Sequence, residues 1–384
     1  MSEYQYYEFL AIDRPLTAEE MSALRRLSTR AHITPVSFTN EYHWGDFKGN
    51  PDELMKRYFD AHVYVANWMT AIFMVRVPTE AILKKTAEAM AMNRVLDFDA
   101  TPTHWLITWR LEESVDDDRF GAEDGRGWMA RLTPVRDELL RGDIRSLYIG
   151  WLAAVTRHMV EDDELEPLSV EGLGNLTTAQ QALAEFLEVD DDLLVGVGIG
   201  SPVQHSEAPW QRQLDDWLGG LPRAEVVALL KQLLEGQGQK VERTLKNRFL
   251  AWQRGLQGDM AETPLRPMKE LWKNAEAVKK IRLEREKQEQ ERLTTKRRLE
   301  RDAYLKALAN NFPEAWKAVQ QKVERGSGLA YDEACRALVD LSEAYSAHAS
   351  RSAFRQELSK FMAEHVRRKA LVQRLVKAGI WKER

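Results

Sequence analysis

The sequence predicts an α+β fold: a small mixed α/β N-terminal domain, then a mostly α-helical remainder with one long charged helix. Three observations carry this. Short β-type runs such as "YYEFLAI", "ITPVSFTNEYHW" and "HWLITWRL" alternate with capped helical stretches over the first hundred residues. From Trp128 onward, apolar residues recur at helical spacing almost without interruption. The stretch "KKIRLEREKQEQERLTTKRRLERD", residues 279–302, reads as helix throughout, although nothing apolar lies between Glu284 and Arg292.

Taken in order, "YYEFLAI" is a strand. "LTAEEMSALRRLST" is a helix with Thr17 as N-cap and Glu20 three residues on as its capping-box partner. "ITPVSFTNEYHW" returns to β character. After the turn-rich "GDFKGNP", Pro51 opens a second helix at its first turn, and "AHVYVANW", "AIFMVRV", "RVLDF" and "HWLITWRL" supply further strands. A small sheet with helices on one face accommodates these elements. They form a domain over residues 1–111, closed by an acidic linker over 112–127, "EESVDDDRFGAEDGRG".

A helical domain follows over 128–264. Its clearest element has Ile144, Leu147, Tyr148, Trp151, Leu152, Val155 and Met159 on one face, with Asp143 placed to cap it. The acidic loop "EDDELEPL" separates this helix from "TTAQQALAEFLEV" and the helices after it. Pro264 and Pro267 then punctuate the chain before the long charged helix, residues 265–310. A basic C-terminal helical bundle over 311–384 completes the chain: "PEAWKAVQQKVERG", a Gly-Ser-Gly turn, "YDEACRALVDLSEAY", and "AFRQELSKFMAEHVRRKALVQRLVKAGI" broken near Arg367.

Composition bounds the function. Apolar residues at 44% and charged residues at 30% are the proportions of a soluble globular protein, and 384 residues suffice for two or three cores. The single cysteine, Cys335, excludes an internal disulfide and suits the reducing cytoplasm. No secretion signal is read in "MSEYQYYEFLAIDRPL", and the most apolar run, "VYVANWMTAIFMVRV", is too short for a bilayer and contains Arg76, so no membrane role is expected. Charge is unevenly distributed: residues 1–265 hold 27 Lys+Arg against 43 Asp+Glu, or −16, and residues 266–384 hold 28 against 17, or +11. A basic region of this kind meets nucleic acid, an acidic partner, or the acidic part of its own chain.

Motifs of catalysis or cofactor binding are weak. "LLVGVGIGSP" carries Gly196, Gly198 and Gly200, but the third glycine comes one residue early for a dinucleotide fingerprint and Pro202 follows where the helix should start; a packed turn is the better reading. The clusters Asp116, Asp117, Asp118 and Glu161, Asp162, Asp163, Glu164 lack the alternate spacing of a calcium loop and read as solvated linker charge. The histidines lack a third partner at catalytic or metal-ligating spacing, and Cys335 falls on an apolar face with Tyr331 and Leu338. No catalytic residue, metal site or cofactor is expected.

The long helix remains. Met268, Leu271, Trp272, Ala275, Val278 and Ile281 make an apolar stripe with coiled-coil-like spacing; it lapses after Leu283 and resumes with Leu293, Leu299, Leu305 and Leu308. Pairs four apart, Arg285 with Glu289 and Lys287 with Glu291, support the helix between. Lys279, Lys280 and Arg282 at one end, and Lys296, Arg297 and Arg298 at the other, are the candidate partner-binding residues, weighed against an ordinary solvated face. Interleaved glutamates and the lack of an accompanying aromatic platform weaken the nucleic-acid case.

The segment from "YQYYEFLAIDRPLTAEE" through "HVYVANW", with "LRGDIRSLYIGWLAAV", "DELEPL" and "AEFLEVDDDLL", resembles a family of uncharacterised bacterial proteins that brings no known activity. "YDEACRALVDLSEAY" and "LVQRLVKAGI" are similar to helices that close bacterial SWIM-type zinc-finger proteins, which accompany that family in genomes. The zinc-binding C-x-C and C-x-H pairs are absent, so zinc is not carried over. The expected function is a non-catalytic cytoplasmic interaction or scaffold protein. It engages a macromolecule, first a protein such as a SWIM-type zinc-finger protein and second nucleic acid, through the basic helical end. The alternative is an enzyme of unknown class with a site in the N-terminal domain around Tyr42, His43, Trp44 and Asp46.

Overall fold

Seven strands pair into one antiparallel sheet, and the remainder of the chain is mostly helical, which makes the fold α+β. The computed structural model describes residues 4–112, 125–202, 210–236, scattered positions between 238 and 252, and 264–382. Most of the expected acidic linker, with Asp116, Asp117 and Asp118, lies outside the described residues, as do His205 and much of "KVERTLKNRFLAWQRGL". The chain divides into two units, Met1–Ile281 and Arg282–Arg384.

The first unit begins β1 (Gln5–Leu10), α1 (Ala18–Leu27), β2 (His32–Thr34), β3 (Ser37–Tyr42), α2 (Pro51–Arg57), β4 (Ala61–Ala66) and β5 (Thr70–Pro78). Then come α3 (Lys84–Met90), β6 (Leu96–Ala100) and β7 (His104–Leu111), and the strand order across the sheet is β2-β3-β1-β4-β5-β7-β6. Local chemistry sets the helix ends. The Thr17 hydroxyl accepts from the Glu20 amide while the Glu20 carboxylate accepts from the Thr17 amide. Asn50 accepts from Asp52 and Glu53 ahead of Pro51.

Helices cover both faces of the sheet, not one as the strand runs suggest. β4 explains why: Ala61, Val63 and Val65 enter one core while Tyr64 and Ala66 enter the other, so the whole strand is buried. On one face α1 and α2 contribute Leu24, Leu54 and Met55 against Phe9, Phe38 and Phe59. The other face carries α4 (Trp128–Leu132), α5 (Pro134–Leu140), α6 (Arg145–Thr156), α7 (Thr178–Phe186) and α8 (Asp191–Gly198). That core runs on through Met268, Leu271 and Ala275, so sheet and helices share it across the expected 112–127 boundary.

At its centre Trp109 is fully buried, stacked on Phe73 with ring centroids 5.4 Å apart, and its Nε1 donates to the Ser146 carbonyl at 3.0 Å. Gly150 makes room for it, since a Cβ there would stand 2.8 Å from the indole Cδ1. Asp143 accepts from the Arg145 amide at 3.0 Å, but Ile144 occupies the N-cap position and no side chain caps the helix, so Asp143 stands one residue before the place expected of it. The helix ends at Thr156, however, and Met159 is exposed beyond it. Gly196 and Gly198 lie within α8, not in a turn. A Cβ on Gly196 would sit 2.7 Å from the Ala275 backbone nitrogen, and one on Gly198 would sit 2.8 Å from the Gly174 Cα. These glycines therefore serve close backbone packing.

His62 is buried, stacked on Phe9 at 3.9 Å, and its Nδ1 donates to the Glu8 carbonyl at 2.9 Å. Burial pushes its pKa down to about 3 despite that hydrogen bond. The folded ring thus stays neutral at pH values where the unfolded chain takes up a proton. The stability it supports is complete above about pH 6.5 and is lost as pH falls toward the folded value. Urea unfolding of the first unit should show a loss of about 2 kcal/mol between pH 6.5 and 5, and His62→Leu should flatten that slope. An unchanged slope in the variant would assign the dependence to another group.

Among the described residues α9 (Trp210–Gly219) and α10 (Arg223–Leu234) precede α11 (Met268–Ala309). The second unit continues with α12 (Phe312–Glu324), α13 (Gly328–His348), α14 (Arg351–His365) and α15 (Lys369–Lys377), the break near Arg367 falling where the sequence places it. Val319, Val323, Leu338, Leu341, Leu358 and Leu375 form its core. His365 Nε2 stands 2.7 Å from Gln320 Oε1 inside it. Cys335 packs at the edge of that core, and burial, assisted by the nearby Asp332 charge, pushes its thiol up, away from nucleophilic character.

Candidate interaction surface

The residues singled out by sequence lie on α11, whose composition of Glu, Lys, Arg, Gln and Leu without Gly or Pro favours a helix even where nothing packs against it. In the first unit its start is tied down. The Met268 amide donates to the Glu164 carbonyl at 2.9 Å and the Lys269 amide to the Asp162 carbonyl at 3.2 Å, so the acidic loop satisfies donors the helix cannot pair internally.

Glu161, Asp162, Asp163 and Glu164 are exposed, and Glu166, further along the same loop, is buried. It is 1% exposed, accepts from Arg266 Nε and Nη2 at 2.9 Å each, and accepts from the Tyr148 hydroxyl at 2.6 Å. Arg266 also donates to the carbonyls of Val197 and Ile199, so this buried ion pair holds the start of α11 against α6 and α8 with its polar atoms partnered.

The helix then loses its packing. Every residue from 281 to 300 is exposed, including Ile281, Leu283, Leu293 and Leu299. The apolar stripe therefore ends earlier and resumes later than its spacing suggests, since in the second unit burial returns only at Leu305. There Arg301 donates to Asp340 and to Glu343 at 2.6 Å each. Between these ends intrahelical ion pairs form among the described residues: Arg282 with Glu286 at 2.9 Å, Arg292 with Glu289 at 3.4 Å and Lys296 with Glu300 at 4.0 Å. The expected pairs of Arg285 with Glu289 and Lys287 with Glu291 do not form; Glu289 turns to Arg292.

All six candidate residues are exposed. Arg282 and Lys296 have the intrahelical partners just given. Among the described residues, none stands within ion-pair distance of Lys279, Lys280, Arg297 or Arg298. Consecutive residues on a helix are about 100° apart, so Lys296, Arg297 and Arg298 fan around the axis and do not share one face.

The alternative cluster lies where β3 ends. Tyr42 Oη accepts from Asn40 Nδ2 at 2.7 Å, Asp46 Oδ1 accepts from Gln5 Nε2 at 3.1 Å, and the His43 ring faces that of Tyr4 with centroids 5.6 Å apart. Trp44 is 71% exposed. Among the described residues His43 meets no titratable group within hydrogen-bond distance. His158 stacks on Trp272 at 5.9 Å, and no group of three His, Cys, Asp or Glu among the described residues could hold a metal ion.

Two buried networks have no sequence signal beyond their residue types. Asp60, 1% exposed, accepts from Arg76 Nη2 at 2.7 Å and from the Ile12 and Asp13 amides at 2.7 and 2.8 Å. Arg136, 2% exposed, donates to Asp13 at 2.8 Å and lies 3.9 Å from Asp60. Burial alone would raise the Asp60 carboxyl, but the Arg136 and Arg76 charges and the two backbone donors hold it below the ordinary range. Gln180 Nε2 donates to Glu138 at 2.9 Å and to Asp143 at 2.8 Å, in a second closed set with Arg145 and Thr177. In both sets the buried charges are partnered, and the bonds hold separate elements together.

No helix among the described residues is long and apolar enough to cross a membrane. Comparison with protein-family models, with curated proteins and with solved structures finds no match to this chain.

Proposed function

We propose that this chain is a non-catalytic interaction protein of the cytoplasm that engages another protein through its basic helical C-terminal region. One observation supports the reading above the rest: from residue 281 to 300 α11 turns its entire circumference to solvent, carrying cations such as Arg297 and Arg298 that no described residue neutralises. Such a segment contributes nothing to either core, and its charge is available to an acidic partner at little desolvation penalty. The partner class is a protein, with a SWIM-type zinc-finger protein as the first candidate from the sequence resemblance. Glutamates interleaved through the helix disfavour a phosphate backbone.

The test is affinity capture from the native host with and without nuclease, comparing wild type with K296E/R297E/R298E. Captured protein should persist through nuclease treatment and fall about tenfold or more in the variant, while thermal stability changes by less than about 1 kcal/mol because the three side chains are exposed. An unchanged captured set would remove the proposal. So would a melting temperature lowered by many degrees, because these cations would then be holding the fold together.

A further inference from the structure

Along α11 glutamates are interleaved with the cations; at the end of the second unit they are not. From Val366 to Lys382 the chain carries six Lys and Arg and no Asp or Glu. Two of the six work inside the fold. Arg368 donates to the Val323 carbonyl and to the Tyr331 hydroxyl, and Arg374 pairs with Asp332. Arg367, Lys369 and Lys377 are exposed, and among the described residues no carboxylate stands within ion-pair distance of them. Lys369, Gln373 and Lys377 recur every four residues, so they share one face of α15 over about 12 Å, with Arg367 in the turn just before it. The opposite face, Leu371, Val372 and Leu375, is buried in the core of the second unit. Of the acids around this helix, Asp332 is taken by Arg374, Glu333 pairs with Arg325, and exposed Glu364 lies on α14, ahead of the turn.

The form of this surface decides what it contacts. An anionic membrane takes up an amphipathic helix by its apolar face, and here that face is already buried. A protein interface is built around apolar or aromatic anchors, whereas the outer face of α15 carries Val376 and no aromatic side chain. Unpaired cations without interleaved acids suit a polyanion. The major groove of B-DNA, about 12 Å wide, admits an α-helix, and that of duplex RNA is too narrow for one. The turn from α14 to α15, Val366 to Arg368, has the length usual in a helix-turn-helix pair, whose second helix enters the groove. Gln373, between the two lysines, is a residue type that pairs with adenine edges there.

We infer that the outer face of α15 docks in the major groove of duplex DNA, with Arg367, Lys369 and Lys377 on its phosphates. This surface uses none of the α11 cations and stands whether or not α11 engages a protein. The full-length chain is titrated into a fluorescent, mixed-sequence DNA duplex and followed by anisotropy from about 50 to about 200 mM salt, with the matching RNA duplex and phosphatidylserine vesicles in parallel. Wild type should bind the DNA duplex most tightly, its affinity falling steeply as salt rises. R367A/K369A/K377A should weaken binding about tenfold or more and flatten the log–log salt slope by about one for each phosphate contact removed. The charge-retaining R367K/K369R/K377R should keep most of the affinity, and both variants should melt as wild type does because the three side chains are exposed. Absence of DNA binding at about 50 mM salt, or equal affinity in R367A/K369A/K377A, would overturn the proposal. So would tighter binding of the RNA duplex or of the vesicles. Loss of DNA binding in K296E/R297E/R298E, with R367A/K369A/K377A unaffected, would move the contact to α11 and overturn it as well.

Discussion

Asp60→Ala should destabilise the first unit by about 3–5 kcal/mol, the scale for breaking a buried ion pair by removing one partner. The carboxylate is 1% exposed and lies among Arg136, Arg76 and two backbone amides, so its loss strands two guanidinium groups and two N–H donors at once. Asp13 continues to neutralise Arg136, which keeps the loss within that range. Total stabilities are typically about 5–15 kcal/mol, so the variant should be marginal near about 37 °C. Urea unfolding followed by circular dichroism reads the effect. Asp60→Asn, which retains an acceptor but not the charge, should fall between wild type and alanine. A loss below about 1 kcal/mol in the alanine variant would mean that water enters and solvates the two arginines.

Trp109→Ala should have a similar effect by a different route, about 3–5 kcal/mol from lost apolar burial and the cavity left behind. The indole fills the space between β7 and α6, contacts Phe73, and supplies the donor for the Ser146 carbonyl. Gly150 cannot move in to fill the void, since it has no side chain and its backbone is held within α6. Trp109→Phe should recover most of the packing but not the hydrogen bond, leaving a loss of about 1–2 kcal/mol. If alanine and phenylalanine proved equally damaging by the same denaturation assay, the hydrogen bond would matter more to this site than the volume of the ring.

The parts of the fold that sequence makes legible are those set by local chemistry. The Thr17 and Glu20 capping box, the helix start at Pro51, the limits of β7 and the break near Arg367 each depend on residues within a few positions of one another. What stays hidden depends on pairing across the chain. Arg136 and Asp13 are 123 residues apart and Glu166 and Arg266 are 100 apart, and nothing in "EDDELEPL" marks the buried glutamate among its solvated neighbours. The helical place of the α8 glycines is hidden for the same reason, because a dense glycine run suggests a turn until Ala275 is seen to need the space. At the candidate surface, sequence identifies the helix and its cations. It does not reveal that Leu293 and Leu299 stay in water, because helical spacing describes one face without saying what lies opposite.

The two outermost strands bear on solubility. An open sheet leaves two rows of unsatisfied amides and carbonyls that can recruit another chain by strand addition. Here one margin is β2, three residues long, and the other is β6, whose Asp97 and Asp99 place negative charge along the exposed flank with Lys56 paired to Asp99. A shortened margin and a charged one, the latter also bridged by Met92 to Leu96, both disfavour edge-to-edge pairing with a second sheet.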